Sequence, residues 1–313
     1  MTVMTSILST DVATLRNLAS RWEHAETELK IQENSRARFW IHDDAAIHPV
    51  ALLAHGFTAW PGQMDEFGAE FYKQGFHVIA PRLPGHGLNT TEGNAPANMG
   101  DYCMPSDFAH LRDELARELH ALHGTKIAVG YSCGGALVTD LLWTHPEVFE
   151  RAVLLAPFYA PASHGFLLRT LHAARVWMPW IMDPVISLMG NINLVDRHRV
   201  EACKNDFGWE RPGYYSVPAK AVVNLVAYAG DLRARMQGSK NTTANMPQIK
   251  VIVGVHDTTV CLDAIQEVVA QWPQTMQRIE HQSADHMLVH SYECLHAETR
   301  EWTMAQTMSF FGL

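Results

Sequence analysis

The chain has 313 residues, 47% of them hydrophobic and 18% charged, an ordinary composition for a globular protein. Its formal net charge of -9 argues against a phosphate-backbone partner, so no nucleic acid is expected. The five cysteines (Cys103, Cys133, Cys203, Cys261 and Cys294) are odd in number and lack C-x-x-C spacing, which argues against a disulfide framework or a structural zinc site, and no metal is expected.

Residues 1–30 have no basic stretch followed by an apolar block, so no secretory signal is expected and the reading is cytoplasmic. They could form a helix packed on the rest of the chain. No uninterrupted apolar stretch of about 18 residues occurs, so no membrane span is expected either. Next, Arg38–Ile41 reads as a flanking strand. Short apolar runs follow at Val50–Ala54, Val78–Ala80, Ile127–Val129, Ala152–Ala156 and Val251–Val253. Such runs fit parallel strands buried on both faces. Gln277–Glu280 reads as a second flanking strand.

Helical patterns alternate with these runs. Phe108, Leu111, Leu115, Leu119 and Leu122 fall on one helical face. Ser106 is the expected N-cap, Asp107 suits the first turn and Gly124 the end. Leu137, Val138, Leu141 and Leu142 mark one side of a helix after Ser132 that stops near Pro146. Leu262–Gln271 and Glu293–Met308 also read as helices. The alternation predicts a mostly parallel sheet flanked by helices.

Residues 158–246 break the rhythm. They hold Phe166, Trp177, Trp180, Phe207, Trp209, Tyr214 and Tyr215, interrupted by prolines. This stretch is expected to be a helical insertion, inserted after the strand that follows the Ser132 helix. Residues 1–157 and 247–313 then form the core. The aromatics either face the sheet end or form a small core of the insertion's own.

Gly130-Tyr131-Ser132-Cys133-Gly134 matches G-x-S-x-G between a strand and an amphipathic helix, the setting of a nucleophile elbow. The tight turn strains Ser132 and leaves no room for side chains at 130 and 134. Ser132 is the expected nucleophile. Cys133 is a rival by reactivity, but only the central residue of such a turn points into the pocket. The backbone amides of Cys133 and of Phe57, in His55-Gly56-Phe57 after the first apolar run, are the expected oxyanion donors. His55 is expected to brace that loop. Trp60 either walls the acyl pocket or packs under the loop.

A serine hydroxyl needs a base in reach. With 18 histidines, position decides. His286, after the last strand, is preferred over His281 and His290. Asp257, just past the strand ending near Val255, is the expected partner that orients the base. Asp285 and Asp263 are assigned structural or solvated roles.

These residues resemble the α/β-hydrolase superfamily, in the branch of bacterial carboxylesterases, monoacylglycerol lipases and serine aminopeptidases. The resemblance rests on His55-Gly56-Phe57-Thr58 with Pro61, on Pro81-Arg82-Leu83-Pro84-Gly85-His86-Gly87, and on Gly130-Tyr131-Ser132-Cys133-Gly134-Gly135. The Asp257 and His286 segments agree. Cys133 is a departure, since a larger residue is common there. The resemblance implies the α/β-hydrolase fold, a cap at 158–246, a structural role for His86, and a serine hydrolase without cofactor. The expected reaction is hydrolysis of a small-molecule carboxylic ester through an acyl-enzyme. The same triad would serve a peptidase, a thioesterase or a carbon–carbon bond hydrolase. A non-catalytic ligand-binding protein is the remaining alternative. Acyl chain length and oligomeric state are left open.

Overall fold

Seven strands pair in the order β1-β3-β2-β4-β5-β8-β9 in the computed structural model of the chain. They are β1 (Arg38–Trp40), β2 (Val50–Ala54), β3 (His77–Ala80), β4 (Lys126–Tyr131), β5 (Arg151–Leu155), β8 (Gln248–Gly254) and β9 (Met276–His281). The structure describes residues 2–313 except 45, 90–92, 164, 197, 199–200, 202–203, 206–210, 239–245, 292 and 295. Only β1 runs antiparallel to its neighbour. All residues of β2 and β3 are buried, as their unbroken apolar runs require. The two flanking strands expected from the sequence are the two sheet edges.

Register sets up the functional rim. Ala54 pairs with Gly130, Tyr131 with Leu155, and Gly254 with His281. The carboxyl ends of β2, β4, β5, β8 and β9 therefore lie side by side. Loops leaving them meet at one edge of the sheet, where open parallel sheets bind ligands.

Helices α1 (Thr2–Glu28), α2 (Asp65–Lys73), α3 (Pro105–His120) and α4 (Cys133–Thr144) precede β5. In α1, Leu15 and Leu18 are buried, Trp22 Nε1 donates to Glu114 Oε1 at 3.0 Å, and Asp11 Oδ1 meets His123 Nδ1 at 2.8 Å. The N-terminal segment thus packs on the core beside α3.

Two helix details differ from expectation. The N-cap of α3 is Met104, not Ser106, because Pro105 occupies the first helical position and Asp107 Oδ2 accepts the Met104 N–H at 2.7 Å. The helix ends at His120, and Gly124 (φ +78°) turns the chain three residues beyond its Ala121 cap. In α4 every residue from Cys133 to Leu142 is buried, not one face alone. The reason is a covering helix, α7 (Ala219–Gly238), packed across α3 and α4.

Between β5 and β8 lie α5 (Gly165–Trp177), α6 (Pro179–Leu188), the antiparallel pair β6 (Asn191–Asn193) and β7 (Ser216–Pro218), and α7 (Ala219–Gly238). The small strand pair was not visible in the sequence. Tyr214 is buried, and its hydroxyl accepts the Leu88 N–H at 2.8 Å and donates to Gly85 O at 3.1 Å. Trp177 and Trp180 are instead 84% and 76% exposed, so they form neither an inner core nor a wall over the sheet. Phe207 and Trp209 lie outside the described residues, as does Cys203. After β8 come α8 (Leu262–Gln271) and α9 (Ala297–Phe311). The last helix begins four residues later than its pattern predicts, which leaves Glu293 in the preceding loop.

Candidate active site

Ser132 stands between β4 and α4 with φ +53° and ψ -112°, a conformation that costs a non-glycine residue about 1–3 kcal/mol. The surroundings hold it there. Its N–H donates to Leu155 O at 2.8 Å, and its carbonyl accepts the Phe158 N–H at 2.9 Å. A Cβ at Gly134 would stand 2.2 Å from Ala54 O, and one at Gly130 would stand 2.5 Å from Gly134 O. Only glycine lets the chain turn this closely from strand to helix. The hydroxyl is thereby presented at the N-terminus of α4, where partial positive charge and unbonded amides favour an anion.

Asp257 follows β8. Its Oδ1 accepts the N–H groups of Thr259 (2.8 Å) and Val260 (3.0 Å). Its Oδ2 lies 2.7 Å from His286 Nδ1, and His286 Nε2 lies 3.1 Å from Ser132 Oγ. All three residues are buried. The loop bearing His286 passes close over the end of β8, where a Cβ at Gly254 would sit 2.3 Å from the carbonyl oxygens of Ala284 and Asp285. Tyr131 fixes that loop from the other side. Its hydroxyl donates to His286 O at 2.9 Å, and burial pushes its ionisation well above the usual tyrosine range. It therefore stays a donor.

The rival histidines and acids sit elsewhere. The ring of His281 meets Trp302 edge-on at 4.9 Å. His290 is edge-on to Trp60, and burial lowers its pKa. Asp285 Oδ1 accepts the Met287 N–H at 2.8 Å, while Asp263 is exposed in the first turn of α8.

Among the described residues, neither the Phe57 amide nor the Cys133 amide donates to a protein acceptor. The Gly134 N–H donates to His55 O at 2.9 Å and ties the elbow to the 55–58 loop. His55 Nδ1 lies 2.8 Å from Gly56 O, and its Nε2 accepts the Leu83 N–H at 3.1 Å. His86 Nε2 accepts the Thr58 N–H at 3.1 Å, and its Nδ1 lies 3.0 Å from Pro84 O. Neutral rings protonated on Nδ1 satisfy all four bonds. Burial enforces that state: it drives the His55 pKa far down and the His86 pKa to about 4. Both histidines are braces of the loop. The Cys133 thiol is fully buried and pushed upward by that burial, so its side chain is not poised as a thiolate.

Trp60 takes the second of its two expected places. It is buried against Ala59, Val195 and Tyr215, with the Arg211 guanidinium 5.5 Å from its ring centre. It is not among the residues that line the cavity.

That cavity, of about 520 Å³, reaches Ser132, His286 and Phe57. Phe158, Leu168, Ile192, Val222 and Leu225 form an apolar wall, while Gln63, Arg211, Glu293, Thr258 and Thr259 form a polar one. The size suits a small-molecule ligand. Among the described residues no three histidine, cysteine, aspartate or glutamate side chains are placed to hold a metal ion together, and no helix is long and apolar enough to cross a membrane.

Sequence reading missed the polar wall. Gln63 Oε1 accepts the Gly56 N–H at 2.8 Å, and Gln63 Nε2 donates to Glu293 Oε2. Glu293 Oε1 accepts from Arg211 Nε (2.8 Å) and Nη2 (2.6 Å). Arg211 Nη1 donates to the carbonyls of Thr58 (2.9 Å) and Tyr214 (2.8 Å). Burial pushes the Glu293 carboxyl up, but the Arg211 charge and the bonds from Arg211 and Gln63 outweigh it and hold the pKa below its usual value. These residues lie far apart in the chain and carry no local motif.

Solved structures share this architecture. One of the metagenome-derived lipolytic enzymes LipS and LipT superposes with a TM-score of 0.66 at 16% identity, covering 90% of this chain and 98% of that one. A soluble variant of monoglyceride lipase from Saccharomyces cerevisiae, solved with a substrate analog, gives 0.62 at 12% identity, covering 88% and 91%. The thioesterase domain from the curacin biosynthetic pathway gives 0.55 at 14% identity, covering 87% and 94%. At these identities the likeness is one of fold. No curated protein sequence matches the chain. A family model described as the alpha/beta hydrolase family matches residues 51–299, and with its parallel sheet, elbow and flanking helices the chain belongs to that family.

Proposed function

We propose that this protein is a serine hydrolase that cleaves small-molecule carboxylic esters through an acyl-enzyme. The observation that carries the reading is the continuous pair of bonds from Asp257 Oδ2 to His286 Nδ1 and from His286 Nε2 to Ser132 Oγ, at 2.7 and 3.1 Å. Asp257 keeps the Nδ1 proton in place, which leaves Nε2 as the base. Ser132 Oγ attacks the ester carbonyl carbon while its proton passes to Nε2. The carbonyl oxygen becomes an anion held by the amides of Phe57 and Cys133, each such donor contributing about 2.7–4 kcal/mol to the transition state. The tetrahedral intermediate collapses, and His286 returns its proton to the departing alkoxide. Water then attacks the acyl-enzyme with the same base, and free acid leaves.

Residues 158–246 act in this reading as the cap that selects substrate, over a core of 1–157 and 247–313. The apolar wall from Phe158, Leu168 and Val222 receives the acyl portion. Ser132→Ala is expected to abolish turnover of a short p-nitrophenyl ester and labelling by a fluorophosphonate probe, with the circular dichroism spectrum unchanged. Retention of near wild-type turnover would overturn the assignment. A panel of ester, amide, thioester and dienoic diketone substrates tests the ester preference. Fastest turnover of any other class would move the activity there without moving the triad.

A further inference from the structure

Glu293 is linked through two other side chains to both sides of Phe57, the residue proposed above to supply one oxyanion donor. Through Gln63 it reaches the amide of Gly56, and through Arg211 it reaches the carbonyl of Thr58. Phe57 lies between them. Thr58 has φ +67°, a left-handed conformation that a β-branched residue does not adopt unaided. Its carbonyl is held by Arg211 and by the Tyr214 N–H at 2.7 Å, and its amide by His86. Glu293 also belongs to the loop that carries His286, and its own N–H donates to His290 O at 3.0 Å.

The chemistry of the contacts makes the carboxylate hard to replace. An anionic carboxylate only accepts, so Gln63 must turn its NH2 toward Glu293 and its oxygen toward the Gly56 N–H. The same anion takes two N–H groups of one guanidinium, which fixes the plane of Arg211. Arg211 and Glu293 are almost fully buried, at 1% and 5% side-chain exposure, yet both line the cavity with Ser132 and His286.

We propose that Glu293 is a positioning residue that, through Gln63 and Arg211, holds the Phe57 amide and the His286 loop in mutual register for the reaction. This rests on the roles given above to Ser132, His286 and the Phe57 amide. A buried ion pair is often no more stabilising than apolar residues of like volume, so stability alone does not account for it.

Three full-length proteins test the proposal: wild type, Glu293→Gln, and the double variant Arg211→Met/Glu293→Leu, which removes both buried charges together. Amide hydrogen exchange is followed in peptides spanning residues 55–60, far in sequence from either substitution. Ester kinetics are measured in parallel. Both variants are expected to fold and to exchange faster at 55–60. They are expected to lose about 10- to 100-fold in kcat with KM nearly unchanged, the scale of a small misplacement of reacting groups. Unchanged protection at 55–60, or faster exchange with wild-type kcat, overturns the proposal. A wild-type protein that forms no fluorophosphonate adduct on Ser132 signals a different failure, that of the hydrolase reading. The exchange comparison still decides whether Glu293 braces the loop.

Discussion

Replacing Asp257 by asparagine keeps shape and reverses one hydrogen bond. Oδ1 of Asp257 faces two backbone donors, the N–H groups of Thr259 and Val260. In Asp257→Asn that position must stay oxygen, because an NH2 there would face two N–H groups and forfeit both bonds. The amide NH2 is therefore directed at His286 Nδ1. Being a donor, it selects the ring tautomer with the proton on Nε2, the atom 3.1 Å from Ser132 Oγ. A protonated Nε2 cannot accept the serine proton. In serine protease triads the equivalent change lowers kcat by about 10⁴-fold, or about 5 kcal/mol at the transition state. The same loss is expected here, with little change in melting temperature because both backbone bonds survive. The assay is ester turnover from pH 6 to 10, with Ser132 labelling by a fluorophosphonate measured alongside. A variant within tenfold of wild type in both would refute the reasoning, since it would mean that Asp257 does not set the tautomer.

Two further outcomes follow from the packing. Gly134→Ala puts a methyl group against the backbone oxygens of Ala54 and His55, which cannot yield as a side-chain tip would. A loss of about 1–3 kcal/mol is expected, read as a lower urea midpoint, and an unchanged midpoint would contradict the close approach. The second concerns acid. Burial holds the His86 pKa at about 4 against an ordinary value of 6.5. The unfolded chain takes up this proton first, so the contribution is complete above pH 6.5 and fades as pH falls toward 4. At 1.36 kcal/mol per unit it amounts to about 3 kcal/mol. Urea unfolding at pH 6.5 and 4.5 should show the slope, and His86→Gln should make it shallower, with buried His55 keeping its own share; equal slopes for the two proteins would remove His86 as a source.

The five inner strands were legible because each contains a short apolar run, and burial on both faces leaves that mark on the residues themselves. The elbow turn and the meeting of Asp257 and His286 beside Ser132 were legible because steric crowding demands glycines at fixed spacing and because both residues follow particular strands at one rim of the sheet. What stayed hidden depends on contacts between distant segments. Met104 caps α3 through Pro105 and Asp107, although Ser106 has the better capping side chain. Strands β6 and β7 have three residues each, too few to display a period. The place of Trp60 under the loop is set by Arg211 and Tyr215, which lie some 150 positions away in sequence. Gln63, Arg211 and Glu293 are unremarkable one by one and acquire meaning only as a triplet.

The order of strands also dictates when reactivity can arise during folding. Neighbours β5 and β8 pair in register, yet the whole of residues 156–247 lies between them in sequence. Closing so long a loop exacts its entropy before any ladder bond is gained, so this pairing belongs late in folding. Until it forms, a chain displays the elbow hydroxyl with no imidazole beside it. On the proposed mechanism the unfinished protein is chemically quiet, and the appearance of probe labelling marks the arrival of residues 248–313.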